Sequence, residues 1–285
     1  MQVTMPDEIA DDLAGTFPVA VVHLVRQGNP DVFLNRFLDS YAAHPAGTPH
    51  QLVFVLKGFS VDGAGAVRAR IERAAERPLF IEINDDGFDI GAYRHAAQSI
   101  ECEFAVFLNS HSEIESDNWL AKLMSAFERR ADTGIAGATG NWESLDERTS
   151  FPNIHIRTNA FAIRRRDFLS LEFGSLTSKF ANNEFEAGAR SMTGQLIERG
   201  LEPYVVGRDG AIFDRHSWPA SRTFRSGSQE NLLVCDNRTR DFTQGSPRHR
   251  MKVARLSWGE SAHVTPLSPL QRVRVFFGRL TKGRL

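Results

Sequence analysis

Along the chain, short near-continuous apolar runs alternate with segments whose apolar positions recur at helical spacing. FPVAVVHLV (17–25), QLVFVL (51–56), LFIEI (79–83) and FAVFL (104–108) have the character of strands buried on both faces. Between the first two, Leu34, Phe37, Leu38 and Tyr41 share one helical face, with Asn29 as a capping residue and Pro30 at the first helical position. Val67, Ile71 and Ala75 mark a second helix, stopped by Pro78. A third is expected around 92–100. A fourth, capped by Ser116, carries Leu120, Leu123, Met124 and Phe127 as a stripe. This alternation predicts an α/β fold, a mainly parallel central sheet flanked by helices.

In such sheets ligands bind beyond the carboxyl ends of the strands. Three of these ends are polar: Lys57-Gly58, NDDGFD (84–89) and NSHSE (109–113). They predict the walls of a ligand cleft, against the plainer reading of solvated loops. Three common uses of the sheet are missing: no GxGxxG follows the first strand, and neither GxxxxGK[ST] nor GxSxG occurs.

Composition narrows the class. The chain has 285 residues, 41% hydrophobic and 24% charged, the make-up of an ordinary globular protein. A net charge of −1 gives no global field for nucleic acid. Two cysteines, Cys102 and Cys235, make no disulfide framework and suit a reduced, cytoplasmic setting. The acidic start, 1–16, lacks the apolar core of a signal peptide, and no apolar run has the length of a membrane span.

In order and spacing, these segments resemble the inverting family 2 glycosyltransferases of the GT-A fold. VAVVHLVRQGNPDVFLNRFLDSY is similar to the family's opening strand, polar turn and helix, and NDDGFDIGAYRHA looks close to the rhamnan-synthesis-type bacterial members. FLNSHSEIESDNWL lies in frame with the strand that ends in the family's DXD-type triplet. IRTNAFAIRRRDFL resembles the acceptor-side strand, and NEFEAGARSMTGQLIERGLEPYVV the segment in which a carboxylate precedes a helix. The resemblance spans roughly residues 17–215 and implies a GT-A-like domain over 17–217 that transfers a sugar from a nucleotide-sugar donor. A saccharide or lipid-linked glycan in surface polysaccharide synthesis is the implied acceptor. Two departures stand out: Lys57 replaces the usual acid after the second strand, and His111 the DXD-type aspartate.

Glycosyl transfer needs cations or N–H donors at the leaving diphosphate and a carboxylate to take the acceptor's proton. The resemblance places that base at Glu186, just before a helix expected over 189–199 whose N-terminus would favour an ionised carboxylate; simple capping by Glu184 or Glu186 is the plainer alternative. Asp86, Asp89, Tyr93, Arg94, Asn109, His111, Arg190 and His216 are the donor and diphosphate candidates. Ser191 and Thr193 add hydroxyl donors. His111 and His216 are candidate ligands for Mn2+ or Mg2+, with a metal-independent reaction as the other option. His155, Arg157 and Asn159 alternate with apolar residues and border the implied acceptor site, or form the exposed face of an edge strand.

Residues 218–285 form a helical or irregular C-terminal extension. Its aperiodic stretch 218–233, with Arg222, Arg225 and Gln229, is a candidate lid. From 248 to 285 there are nine Lys and Arg against one acid, Glu260. Leu270, Val273, Phe277 and Leu280 share a helical face there, suited either to peripheral contact with an anionic membrane or to docking on the domain. Two other functions compete with transfer. A catalytically silent GT-A-like module that binds nucleotide sugar or glycan is favoured by the missing aspartate. An NAD-type oxidoreductase is disfavoured by the missing glycine fingerprint.

Overall fold

The computed structural model describes residues 17–144 and 147–266. The acidic start, residues 145–146 and the basic helix expected over 270–280 lie outside them. Among the described residues, no helix is long and apolar enough to cross a membrane.

The four expected strands are present as β1 (Val19–Arg26), β2 (Gln51–Lys57), β3 (Leu79–Ile83) and β4 (Phe104–Leu108). The short β5 (Glu113–Ile114) follows, then β6 (Thr133–Gly137), β7 (Gly140–Asn141), β8 (His155–Ile156) and β9 (Ala160–Arg164). Last come β10 (Glu202–Val206), β11 (Ile212–Phe213) and β12 (Val234–Cys235). Eight strands form one sheet in the order β11-β10-β6-β9-β4-β1-β2-β3. β9 runs antiparallel to both of its neighbours, β4 and β6, and β11 runs antiparallel to β10. The other neighbouring pairs are parallel.

The helices are α1 (Asp31–Ala43), α2 (Val61–Ala74), α3 (Phe88–Ser99), α4 (Trp119–Arg129), α5 (Arg165–Leu169), α6 (Lys179–Ala187), α7 (Met192–Glu198), α8 (Asn237–Gln244) and α9 (Pro247–Trp258). Side chains alternate along each strand, so the sheet feeds two cores. Val21, Phe54, Leu56 and Val106 pack with Phe37 of α1, Ile71 of α2 and Leu123 of α4. Val22, Val55, Phe107 and Phe161 pack on the opposite face with Tyr93 of α3, Phe185 of α6 and Leu196 of α7. The chain steps from β1 outward to β2 and β3, then returns to place β4 on the other side of β1. That reversal is the topological switch point, where open α/β sheets leave a crevice.

Several boundaries differ from expectation. Pro30 itself occupies the cap position of α1, and Asn29 does not cap. Asn118, in a left-handed conformation at φ 56, precedes α4; Ser116 does not cap it but accepts a hydrogen bond from Lys122. α3 starts at Phe88, earlier than its apolar pattern suggests, because Gly87 and Phe88 both turn left-handed (φ 74 and 47). α2 also starts early, at Val61, with the Ser60 hydroxyl accepting from the Gly63 amide. The stretch 218–233 is packed within the fold. Trp218 and Phe224 are buried with Trp258 in the second core, and Leu233 belongs to the first.

Candidate functional site

The carboxyl ends of β1, β2 and β3 carry a charged cluster. Arg26 pairs with both carboxylate oxygens of Asp85, at 2.7 and 2.6 Å. Lys57, almost fully buried, reaches the same carboxylate at 3.6 Å. Gly58 (φ +77) makes the close turn possible, since a Cβ there would lie 3.1 Å from Asp85 Cβ. Burial lowers the Lys57 ammonium's pKa, against the pull of Asp85 and Asp89. The sequence pattern pointed to Asp86 in this loop, but Asp86 is exposed and accepts from Asn84 at 2.6 Å. Asp85 and Arg26 are the residues it missed. Their pairing joins positions 59 residues apart, which periodicity cannot register.

One step inward lies a carboxylate pair. Asp89, in the first turn of α3, interacts with Lys57 on one side and Glu186 on the other. Burial pushes the Asp89 carboxyl up, the negative charge of Glu186 adds to that, and Lys57 and Arg26 oppose it without cancelling it. Tyr93 is fully buried one turn along α3. Its hydroxyl, held above the ordinary phenol range by burial, Asp89 and Glu186, donates to the Thr158 carbonyl at 3.4 Å. The Thr158 hydroxyl in turn donates to Glu186 Oε2 at 2.6 Å. The structure thus brings Asp89, Tyr93 and Glu186 together and adds Thr158, which carried no signal in the sequence. Arg94 faces outward and lies over the Phe173 ring at 4.9 Å.

The helical context of Glu186 needs correction. Glu184 and Glu186 belong to the last turns of α6, which ends at Ala187, and the next helix begins at Met192 behind the cap Ser191. The helix expected from residue 189 is therefore shorter. The N-terminal dipole invoked for Glu186 does not act on it, and neither acid caps α7. What holds Glu186 is the Thr158 hydroxyl.

The proposed acceptor face is not one strand. His155 sits in β8, Asn159 directly precedes β9, and residues 157–159 between them are irregular. All three side chains are buried, so this is not an exposed edge. Arg157 donates to Asp236 Oδ2 at 2.7 Å, with Asp236 fully buried, and stacks on Phe224 at 4.2 Å. Burial alone would raise the Asp236 carboxyl, but Arg157 and the hydrogen bonds of Thr239 outweigh it and hold the carboxyl below its usual range. Asn159 Oδ1 accepts from Thr139 at 2.6 Å, while its buried amide nitrogen has no partner among the described residues. Burial lowers the His155 pKa, against the charge of Glu186.

Beside β1 and β4, a cleft at the switch point is lined by Arg26, Gln27, Asn29, Phe33, Phe59 and Ser110. Asn109 Oδ1 accepts from the His111 amide at 3.0 Å and from the Ser112 hydroxyl at 3.2 Å, forming the turn after β4. The His111 ring packs on Phe33 of the cleft wall at 4.4 Å. Arg190, by contrast, is exposed and pairs with exposed Glu172 at 2.9 Å. His216 is exposed in a turn built on Asp214.

Among the described residues, one group of side chains could hold a divalent ion, and it includes neither His111 nor His216. The group that does form is Glu113, Glu115 and Cys235, with ligand atoms within 4.8 Å of one another. Guanidiniums already occupy it: Arg240 donates to Glu113 at 2.8 Å and reaches the Cys235 sulfur at 3.6 Å, and Arg208 pairs with Glu115 at 3.0 Å. Burial pushes the Cys235 thiol up to about 11, against the Thr239 hydroxyl that donates to its sulfur. Mg2+ and Mn2+ also prefer oxygen ligands to sulfur.

No protein-family model matches the chain, and no curated protein matches it. Among solved structures, it is similar to the mannosyltransferase PcManGT from Pyrobaculum calidifontis in complex with GDP-Man and Mn2+. Identity is 13% over 73% of this chain and 61% of that one, with a TM-score of 0.47. TarS of S. aureus, residues 1–349, is 15% identical over 57% of this chain and 52% of its own, with a TM-score of 0.40. A CMP:2-keto-3-deoxy-manno-octonic acid synthetase complexed with CTP is 12% identical over 66% of this chain and 89% of its own, with a TM-score of 0.42. The match thus spans less than two thirds of the length of PcManGT and of TarS.

Proposed function

We propose that the protein is an inverting glycosyltransferase that moves a sugar from a nucleotide-sugar donor to a saccharide or lipid-linked glycan acceptor. The observation that carries this reading is the meeting of Asp89, Tyr93, Thr158 and Glu186 beside the crevice at the switch point. The order of sequence segments resembling family 2 enzymes supports it.

In this reading the nucleotide enters the cleft beside Arg26, Phe33 and Ser110. Asp89 accepts hydrogen bonds from hydroxyls of the donor sugar. Glu186, with one oxygen held by Thr158, takes the proton of the acceptor hydroxyl as that oxygen attacks the anomeric carbon. The bond from that carbon to the diphosphate breaks with its electron pair going to the phosphate oxygen. The His111 turn lies where the departing diphosphate collects. Positioning and electrostatics supply the rate, as they must where no covalent intermediate forms.

The test is release of nucleoside diphosphate from a panel of nucleotide sugars, with and without saccharide acceptors. Turnover that depends on acceptor supports the reading. A specific observation favours one competitor: with His111 in place of an acid, the protein would be a module that binds nucleotide sugar without transferring it. Saturable binding with no release of diphosphate under any acceptor would decide for that module.

A further inference from the structure

We propose that two copies of this chain pair through the β3 edge of the sheet, β3 against β3, in a two-fold antiparallel register centred on Ile81.

β3 is the last strand in the order of the main sheet and, among the described residues, pairs with β2 alone. The Gly58 amide donates to the Ile83 carbonyl at 2.9 Å, so Ile83 turns its backbone groups towards β2. Alternation along the strand gives Leu79 and Ile81 the same direction and turns the N–H and C=O groups of Phe80 and Glu82 outwards. Such a row is a template for another strand.

The pattern of β3 selects a second copy as that strand. A two-fold axis at Ile81 sets Phe80 opposite Glu82 of the second copy, and Glu82 opposite its Phe80. These are the outward-turned residues, so each pair exchanges both backbone hydrogen bonds. Centring on Phe80 would oppose Glu82 to Pro78, which has no N–H to give, and centring on Glu82 would oppose two like charges.

The two faces agree with this register. On one, Phe80 packs against the first core, and Arg68 of α2 lies over its ring at 4.9 Å while donating to Glu82 at 2.7 Å. Glu82 of the second copy, set opposite Phe80, comes under that guanidinium, so two Arg68 and two Glu82 balance across the axis. On the other face, Ile81 and Ile83 pack against the second core, while Leu79 is 46% exposed. The axis brings Ile83 of the second copy to Leu79 and covers this apolar row. Copies related in this way turn their switch-point clefts in opposite directions.

Sedimentation equilibrium of the full chain should show a monomer–dimer equilibrium. Glu82→Arg leaves only like charges at the axis and should weaken association roughly tenfold or more, as should Arg68→Glu with the opposite sign. Mixed in equal amounts, the two variants should associate again, because each copy brings the charge that the other lacks. The mixture reads pairing even where one variant alone is less stable. Ile81→Cys tests the register: directly opposed residues of this kind have Cα atoms about 4.5 Å apart, a span that a disulfide bridges. Oxidation should crosslink Ile81→Cys and not Glu128→Cys, an exposed position on α4. A monomer at every concentration overturns the proposal. So does a dimer that Glu82→Arg leaves intact, a mixture of the two charge variants that stays monomeric, or the absence of a crosslink at Ile81→Cys.

Discussion

The Thr158 hydroxyl donates to Glu186 Oε2 at 2.6 Å, tying the loop before β9 to the last turn of α6. A hydrogen bond to a charged group is worth about 1.5–3 kcal/mol. If it orients the carboxylate for proton transfer, Thr158→Val lowers kcat roughly 10- to 100-fold with little change in KM, while Thr158→Ser keeps most of the activity. Steady-state kinetics of the two variants decides the matter. Equal losses in both would mean that the threonine fills space rather than aims the base.

Asp89 gives a pH test. Its folded pKa is raised by burial first and by Glu186 second, so the folded state binds this proton more tightly than the unfolded one. That contribution is fully present below the ordinary aspartate range and is lost as pH rises through the raised folded value. At neutral pH the ionised group therefore costs stability. Asp89→Asn should melt at a higher temperature than the native protein near pH 7, and the gap should close in acid. A lower melting temperature at pH 7 would show that Lys57 outweighs burial.

His23 gives the opposite pH dependence. It stacks on Phe37 at 3.7 Å and meets Phe54 edge-on, and neither ring nitrogen has a partner among the described residues. Burial lowers its pKa from 6.5 to about 3. The unfolded chain therefore takes up a proton that the folded chain refuses, and stability falls as pH drops from 6.5 to about 3. Each unit is worth about 1.4 kcal/mol, so the loss is on the order of several kcal/mol. His23→Leu should unfold at lower pH than the native protein. Coincident acid-unfolding curves would reject this account.

The Arg157–Asp236 pair is a scaffold element on this reading, since both side chains are spent on each other inside the fold. Removing one partner of a buried pair costs about 3–5 kcal/mol. Arg157→Met should show that loss in denaturant unfolding. Normal stability with weakened acceptor binding would return Arg157 to the acceptor site.

The sheet and its flanking helices were legible because β1, β2 and β4 are buried on both faces and must be apolar almost throughout. The stretch 218–233 was not legible. Arg225 and Gln229 are buried there by specific hydrogen bonds to Glu143 and the Thr239 carbonyl, not by periodic apolar packing. The turn around Arg225 and Gln229 also uses left-handed backbone at non-glycine residues. At the site, Asp89, Tyr93 and Glu186 came from resemblance and do meet. The helix boundary beside Glu186 failed because Gly188 ends α6 where the apolar pattern continues towards Met192. Thr158 and Arg26 were invisible because each matters only through a partner distant in sequence, 28 and 59 residues away.

Glu186 as the base is the central claim, and Glu186→Gln tests it most directly. The glutamine keeps the shape and an oxygen for Thr158 but cannot take the acceptor's proton. Acceptor-dependent release of nucleoside diphosphate should fall roughly 10²–10⁴-fold, the usual worth of a positioned base, while nucleotide-sugar binding measured by calorimetry persists. Glu184→Gln, on the same helix but without the Thr158 bond, should cost far less. Near-normal turnover in Glu186→Gln, or equal losses in the two variants, would contradict the account.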